Sequence, residues 1–514
     1  MTAMGDRSDK TGGGQQLAGH TAEKVGGMSM SDSAAVLDNV FIGDRRGSDL
    51  YHRIFVVSAY GGITDKLLED KKTGEPGVHA LFAGSESEWA WGDAISDVSR
   101  EMCAINARIF GSHTDRQAAD RFVRERIEGV RSCLVDLHRL CSYGHFSLNE
   151  HLDTVREMLA ALGEAHSAHN SSLLLQQHDV NAVFVDLTGW RDEATLGLDE
   201  RIVRALADID LSTTLPVLTG YARSRDGIMR KYGRGYSEVT LSRVAVLTGA
   251  REAIIHKQFH LSSGDPLLIG AERVRKIART NYDVADQLSN LGMEAIHPRA
   301  AKGLRQANIP LRIRNTFDPD DAGSVIRSDY LSGSPRAEII TGMRSVFALE
   351  FFEQDMVGVK GYDAAILDTL KRHEVRVVTK TSNANTIVHY LAGSLKAVRR
   401  VLNDLRENFE SARVSTRKVA VVSAIGSDLN VSGLTALAVG ALADAQIEVL
   451  GVHQLIRSVD IMFVLAEQDY EKAVVALHRT LIEERQETEC RRPGAFPEFI
   501  ATGGLNDRKK PLLA

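Results

Sequence analysis

Cysteine is scarce in this chain, which contains four in 514 residues. Cys103, Cys133, Cys141 and Cys490 form no CxxC pair and follow no regular spacing. This pattern argues against a disulfide framework, so we expect reduced thiols in a cytoplasmic protein.

Long apolar runs are also missing. No segment approaches the ~20 consecutive apolar residues that a membrane-spanning helix needs. Residues 1–20 are polar and lack the apolar centre of a signal peptide. We therefore expect no membrane association, and we expect residues 1–20 to form a flexible tail.

Neither sign of charge is in large excess. Lys and Arg number 62 and Asp and Glu number 68, which gives a net charge of −6. That balance argues against a nucleic-acid partner and favours a small-molecule one. With 43% hydrophobic and 25% charged residues, the composition is typical of a globular protein. The length corresponds to roughly three domains.

The stretch from Gly233 to Pro266 combines a glycine-rich turn, a helix, a short buried strand and a polar loop. Ser237 is the predicted N-cap of the helix, and residues 253–255 are the predicted strand. Arg234 lies between two glycines, where a guanidinium and backbone N–H groups can face one point. This arrangement suits a carboxylate or a phosphate. The alternative is a surface turn with a solvated arginine.

Two strand–GlyGly–helix units come early in the chain. Lys24 precedes Gly26 and Gly27 in the first, and the predicted strand 53–57 precedes Gly61 and Gly62 in the second. Together they predict an α/β layer with phosphate-sized turns at the carboxyl edge of its sheet. Lys24 can reach phosphate oxygens as a mobile charge. Neither turn has P-loop spacing, and a plain tight turn is the alternative.

Further strands are predicted at 182–185, 215–218 and 311–314. They continue the α/β alternation between long helical segments. Glu164 lies in one such helix beside small residues, and taken alone it is best explained as a surface carboxylate. His297, between an apolar helix and a proline, is best explained as structural.

A duplicated βαββα pattern follows a Gly/Ser/Pro-rich stretch. We predict a linker at 331–343, two similar units at 344–410 and 417–485, and a C-terminal tail at 486–514. Small sheets with helices on one face often pair edge to edge, so we expect dimerisation and a regulatory ligand at the shared edge. A purely structural module is the alternative.

Four motifs in this order resemble those of the aspartate kinases. They are Lys24-Val25-Gly26-Gly27-Met28-Ser29, Val57-Ser58-Ala59-Tyr60-Gly61-Gly62-Ile63-Thr64-Asp65, Gly233-Arg234-Gly235-Tyr236-Ser237-Glu238 and Ser263-Gly264-Asp265-Pro266. That family has an amino-acid-kinase domain followed by paired ACT domains, and the resemblance covers about residues 21–485. It implies a kinase domain over 21–330 with an open, largely parallel sheet and helices on both faces. Two α+β, ferredoxin-like ACT units would follow.

The resemblance also implies an activity. An aspartate kinase transfers the γ-phosphate of ATP, with Mg²⁺, to the side-chain carboxylate of L-aspartate. The implied partners include a threonine or lysine effector and a second copy of the chain, as a homodimer or a larger homo-oligomer. Segments 256–263, 281–286 and 292–298 resemble the subgroup associated with ectoine biosynthesis.

Site residues follow from matching positions in the motifs. Lys24, Glu164 and Arg234 match catalytic positions, and no protein side chain is expected as a dedicated metal ligand. Arg234 would face a carboxylate of aspartate, and Glu164 its ammonium group. The substrate-binding positions are Thr64, Glu164, Arg234, Ser237 and Glu238. The nucleotide-binding positions are Lys24, Gly26, Gly27, Ser29, His256, Lys257, Asp265 and Pro266.

Several positions depart from the family pattern. Met28 stands where the family has threonine, Glu238 where it has aspartate, and Ser262 where it has tyrosine. His256-Lys257 replaces the usual Thr-Asp, and Leu267 replaces a basic residue. Two other functions therefore stay open, a catalytically weak amino-acid sensor and a kinase of another small carboxylate or carbamate.

Overall fold

The computed structural model describes residues 19–71, 73–84, 88–293 and 296–484. The tails predicted at 1–20 and 486–514 lie almost wholly outside this range, as does Cys490. The other three cysteines are free thiols.

An eight-stranded sheet forms the larger part of the molecule. Its strands are β1 (Thr21–Val25), β2 (Arg53–Val57), β3 (Ala182–Val185), β4 (Leu215–Thr219), β5 (Glu252–Lys257), β6 (Arg279–Asn281), β7 (Leu311–Asn315) and β8 (Ser324–Arg327). Their order is β3-β4-β2-β1-β5-β7-β8-β6. The pairs are parallel except β7 with β8, which confirms the predicted open, largely parallel sheet.

Helices connect these strands. They are α1 (Gly27–Met30), α2 (Ser33–Val36), α3 (Ile63–Leu67), α4 (Val78–Gly84), α5 (Glu88–Ile109), α6 (His113–Ser142), α7 (Leu152–Gln177), α8 (Leu198–Leu206), α9 (Ile228–Tyr232), α10 (Tyr236–Thr248), α11 (Pro266–Ile269), α12 (Tyr282–Asn290) and α13 (Pro298–Gln306). Helix α7 packs on β2, β3 and β4, and α10 packs on β1, β2 and β5. Every residue of β1, β2 and β4 is buried, so both faces of the sheet centre are covered.

A second, six-stranded antiparallel sheet follows. Its strands are β9 (Ile339–Phe352), β10 (Arg376–Ser382), β11 (Thr386–Ala392), β12 (Arg413–Ile425), β13 (Val449–Gln454) and β14 (Asp460–Leu465). Its helices are α14 (Tyr362–Arg372), α15 (Leu395–Asn408), α16 (Leu434–Asp444) and α17 (Tyr470–His478). The duplicated βαββα order is confirmed.

The two long strands, β9 and β12, each belong to both repeats. Residues 347–352 of β9 pair with β11 on one side and with 413–418 of β12 on the other. Residues 420–425 of β12 pair with β14, and most of them also pair with 339–343 of β9. The first half of each long strand is therefore the fourth strand of the other repeat. The stretch 331–343, predicted as a linker, includes the start of β9.

Candidate active site

The first glycine turn lies at the carboxyl end of β1. The Gly26 N–H donates to the His256 carbonyl at 3.0 Å, which fastens the turn to the end of β5. A Cβ atom at Gly27 would lie 2.7 Å from the Ala59 carbonyl oxygen. Only glycine fits at that distance, so the close approach of the two glycine-rich turns requires this residue.

A cluster of three charges lies beside this turn, formed by the buried Lys24 and Glu238 and the half-buried Lys257. The Lys24 Nζ is 3.7 Å and the Lys257 Nζ 3.8 Å from Oε1 of Glu238. The His297 N–H donates to Glu238 Oε2 at 2.5 Å. Burial alone would raise the pKa of Glu238, but Lys257, Lys24 and the His297 N–H together lower it. One carboxylate thus holds two ammonium groups next to the glycine turn.

Glu164 is a buried carboxyl group on α7. Burial raises its pKa to about 8, against the opposing effects of Lys24, the N–H groups of Tyr221 and Ala59, and the Tyr236 hydroxyl. Its Oε2 accepts no hydrogen bond within the described part of the chain. A bound ammonium group would satisfy this oxygen and favour the ionised form.

Arg234 lies in a 3₁₀ turn, Gly233–Gly235, that leads directly into α10. Its guanidinium contacts the Asp65 carboxylate and the Glu69 carbonyl, and lies 3.4 Å from the Glu69 Oε1. A substrate carboxylate, the predicted partner of Arg234, would therefore compete with two carboxylates of the protein itself.

Ser237 is not the N-cap of α10. The helix begins at Tyr236 with Gly235 as its N-cap, because the preceding 3₁₀ turn continues into it. The Ser237 hydroxyl instead lies 3.3 Å from that of Ser58, at the carboxyl end of β2. Thr64 is half-buried in the first turn of α3.

The predicted nucleotide residues fall into separate places. His256 is buried within the sheet, where its Nε2 lies 2.8 Å from the Glu23 carboxylate. Its side chain is therefore occupied within the sheet, and its assignment to the nucleotide stays a prediction. The buried Ser29 hydroxyl accepts from Thr316 at 2.9 Å and connects the glycine turn to the end of β7. Asp265 is the N-cap of α11, with Pro266 as the first helical residue.

Two of the departures from the family pattern are exposed. The Met28 side chain is 61% exposed and that of Leu267 is 93% exposed. Neither therefore contributes to the charge cluster around Glu238.

Comparison with known proteins assigns the family. Residues 21–315 match the model of the Amino acid kinase family, and residues 422–481 match that of the ACT domain. The chain is 54% identical over 464 residues to "Aspartate kinase Ask_Ect" of Stutzerimonas stutzeri (strain A1501), covering 90% of this chain and 98% of that protein. The chain belongs to the aspartate kinases.

More distant relatives agree with this assignment. An aspartokinase of Candida albicans is 24% identical over 424 residues, covering 74% of this enzyme and 76% of the relative. Among solved structures, E. coli aspartokinase III in complex with lysine and aspartate superposes with a TM-score of 0.67 at 19% identity, covering 90% and 100% of the two chains. The aspartate kinase of Clostridium acetobutylicum gives 0.65 at 18% identity, with the same coverage. These structures support the fold of the enzyme.

Sequence analysis missed several residues around the Glu164 carboxyl. A Cβ at Gly220 would lie 3.0 Å from Glu164 Oε2, so this glycine leaves room for the carboxylate. Gly220 and Tyr221 come one residue after the predicted strand 215–218 and directly after β4, and the carboxyl ends of parallel strands are where ligands bind. That position was the available signal. The counter-ions of Arg234 gave a weaker one, since Asp65 adjoins the predicted Thr64.

A cavity of about 660 Å³ is lined in part by Glu157, Tyr221 and Arg230, whereas Lys24, Glu164 and Arg234 do not line it. The Tyr221 hydroxyl donates to Glu157 at 2.7 Å. Among the residues that the structure describes, no helix has the length and apolar character needed to cross a membrane.

Proposed function

We propose that Lys24, Glu164 and Arg234 are the residues with which this aspartate kinase converts L-aspartate and ATP into 4-phospho-L-aspartate. The supporting observation is the Lys24–Glu238–Lys257 cluster next to both the glycine turn and the Glu164 carboxyl. In this arrangement the two ammonium groups would neutralise the phosphates, and the Glu164 carboxyl would bind the ammonium group of the substrate.

Phosphoryl transfer depends mainly on positioning and charge neutralisation. Lys24 and Lys257 would supply that charge at the transferring group, and Glu238 keeps them together. The acceptor carboxylate is already ionised at pH 7, so no general base is needed. Glu164, despite its raised pKa, therefore anchors the substrate ammonium and takes no proton from the acceptor.

Arg234 would bind the α-carboxylate of aspartate in place of one of its present partners. Asp65 and Glu69 hold the guanidinium at the rim of the site, so little reorganisation is needed when the substrate replaces one carboxylate with another. Arg234→Lys should raise KM for aspartate more than it changes kcat, because lysine cannot make a planar two-pronged contact.

Mg²⁺ would come to this site bound to the phosphates of the nucleotide and to water. Glu238 is not proposed as its ligand, because Lys24, Lys257 and the His297 N–H already occupy this carboxylate. When bound, the ion would neutralise charge on the phosphates.

Product trapping tests the proposal. An acyl phosphate reacts with hydroxylamine to give a hydroxamate, which forms a coloured iron complex. Hydroxamate should accumulate with L-aspartate, ATP and Mg²⁺ together and disappear when any one is omitted. Nucleotide and amino-acid binding without hydroxamate would favour the sensor function, and a faster reaction with another carboxylate would change the substrate.

Three finer assignments belong to the same proposal. The link to ectoine synthesis is supported by the segments that resemble that subgroup, and it is consistent with the Ask_Ect name of the 54% identical relative. The paired ACT units would bind threonine or lysine across a shared edge in a homodimer or larger homo-oligomer. A cytoplasmic location accords with free thiols and with the use of ATP.

Calorimetry with aspartate-family amino acids tests the effector. The loop from Ser427 to Gly433 is one candidate effector segment, and residues 355–358 are the other. The Ser427 N–H donates to Glu338 at 2.7 Å, and its hydroxyl accepts from the Ser332 N–H at 2.9 Å. Because these bonds already occupy Ser427, we expect at most one effector type. Absence of heat with every such amino acid would leave the units a structural role.

A further inference from the structure

Ser263, the first residue of the Ser263–Pro266 motif, makes hydrogen bonds with its N–H, its carbonyl and its hydroxyl. Its N–H donates to the Arg275 carbonyl at 2.7 Å, and its carbonyl accepts from the Ile340 N–H at 2.8 Å. Its hydroxyl accepts from the Arg275 N–H at 2.9 Å and lies 2.8 Å from the His478 Nε2. Ile340 and His478 both belong to the second ACT unit, so this segment joins the two parts of the enzyme.

The hydrogen-bond pattern assigns the protons in this contact. Since the Ser263 oxygen accepts the Arg275 N–H, its own hydrogen is available to the His478 Nε2. The His478 Nδ1 must then bear the ring proton and donate it to Glu483 at 2.7 Å. Burial lowers the pKa of His478, which accords with the neutral ring. The result is a chain of three side chains from the kinase domain to the end of the ACT helix α17.

Apolar packing holds the rest of the segment in the same place. Ile269, at the end of α11, is a member of the apolar core that the second ACT unit forms around β12, β14, α16 and α17. A Cβ on Gly264 would lie 2.3 Å from Ile269 Cδ1 and 3.1 Å from the Ile340 carbonyl oxygen. The backbone from Ser263 to α11 therefore lies directly against the ACT unit.

We infer that His478 is a positioning residue for nucleotide binding. It fixes Ser263, and through Ser263 it fixes the Asp265–Pro266 turn that follows. The second ACT unit thus forms part of the nucleotide site. A movement of α17 changes the affinity for the nucleotide more than it changes the affinity for aspartate. This inference rests on the proposed function, which assigns Asp265 and Pro266 to the nucleotide.

The test compares the two Michaelis constants in the full-length enzyme, using the hydroxamate assay. His478→Leu should raise KM for ATP about fivefold, as expected for one lost buried hydrogen bond to Ser263. Ser263→Ala, which also removes the acceptor of the Arg275 N–H, should raise it at least as much. KM for aspartate should stay within about twofold of the parent value. His478→Gln restores an acceptor for the Ser263 hydroxyl and should recover most of the loss. The double variant should be no worse than Ser263→Ala, because the bond between Ser263 and His478 is already lost in that single variant.

Val474→Ala is the matched control. Val474 is buried on the same helix and in the same core, but its apolar side chain cannot form a hydrogen bond with Ser263. This variant should lower the melting temperature and leave the ratio of the two Michaelis constants unchanged. Any selective rise in KM for ATP in this control would assign the effect to general loosening of the ACT unit and overturn the inference.

The inference also fails if folded His478→Leu and Ser263→Ala change both constants equally, or change neither. Should His478→Leu not fold, Ser263→Ala decides alone, since it removes a single hydroxyl. Failure of the proposed function has a different signature, namely no hydroxamate from the parent enzyme. The dissociation constant of ADP, measured by calorimetry in the same variants, then replaces KM for ATP and gives the same decision.

Discussion

Glu164→Gln should abolish a proton release that accompanies aspartate binding in the parent enzyme. Burial raises the pKa of Glu164 from 4.5 to about 8, so at pH 7 about nine in ten molecules hold this carboxyl neutral. The ammonium group of the substrate favours the ionised form. Binding therefore lowers the pKa of Glu164 and expels its proton.

The magnitude follows from the size of the shift. With a pKa of about 8, ionising the group at pH 7 costs about 1.4 kcal/mol of binding free energy. KM for aspartate should consequently fall about twentyfold between pH 6.5 and 8.5. Folding stability depends on pH in the opposite direction to aspartate binding: binding strengthens as pH rises, whereas stability falls. The native state keeps a proton that the unfolded chain has lost, so this group's contribution to stability is lost as pH rises from about 4.5 towards 8.

Calorimetry at pH 7 in two buffers of different ionisation enthalpy measures the released protons. The parent enzyme should release about 0.9 proton per aspartate bound, and Glu164→Gln close to none. Asp153→Asn, which removes an exposed carboxylate from the same helix, should keep the full release. A parent value below about 0.2 proton would refute the reasoning, because an ionised Glu164 would have none to lose.

Three other variants test the remaining parts of the site and the sheet. Lys24→Ala should lower kcat, because it removes about 3–4 kcal/mol of transition-state stabilisation, while the affinity for aspartate stays close to the parent value. A kcat within a few-fold of the parent would exclude a role for Lys24 in phosphoryl transfer. Gly27→Ala should raise KM for ATP, because its Cβ would lie 2.7 Å from the Ala59 carbonyl oxygen; an unchanged KM would mean that the turn does not face the nucleotide. Arg53→Met should lower the urea-derived free energy of unfolding by about 3–5 kcal/mol, since it removes a guanidinium 2.9 Å from the buried Glu23. Arg53, together with His256, holds the pKa of Glu23 well below its usual range despite burial, so the stabilisation should be present at pH 7 and lost on acidification. A loss below about 1 kcal/mol would show that the pair is dispensable.

Local patterns predicted the parallel sheet well. The strand predicted at 53–57 has those same bounds in the structure, and those predicted at 182–185, 215–218 and 311–314 differ by at most one residue. Buried parallel strands are short apolar runs between glycine-rich turns, and this information lies within each segment.

Contacts between distant segments were beyond such patterns. His256 is buried beside its partner Glu23, which lies 233 residues earlier in the chain. Arg234 is held by Asp65, which lies 169 residues earlier. Nothing in the spacing of either segment indicates these pairs. The sharing of β9 and β12 between the two repeats could not be predicted for the same reason, since a βαββα period does not show which strand completes each sheet.

Because the two ACT units share the long strands β9 and β12, they can be transferred between proteins only together. A strand of the length of β9 extends about 45 Å. Dividing it removes either the edge strand of the second ACT unit, residues 339–343, or a central strand of the first, residues 347–352. Neither repeat can be transplanted alone, whether by recombination or by a protein engineer, without leaving an open sheet edge in both donor and recipient. A graft that moves effector recognition between enzymes must therefore exchange residues 339–484 as one block. The seam of that graft would fall at the Ser263–Ile340 contact, beside the nucleotide segment.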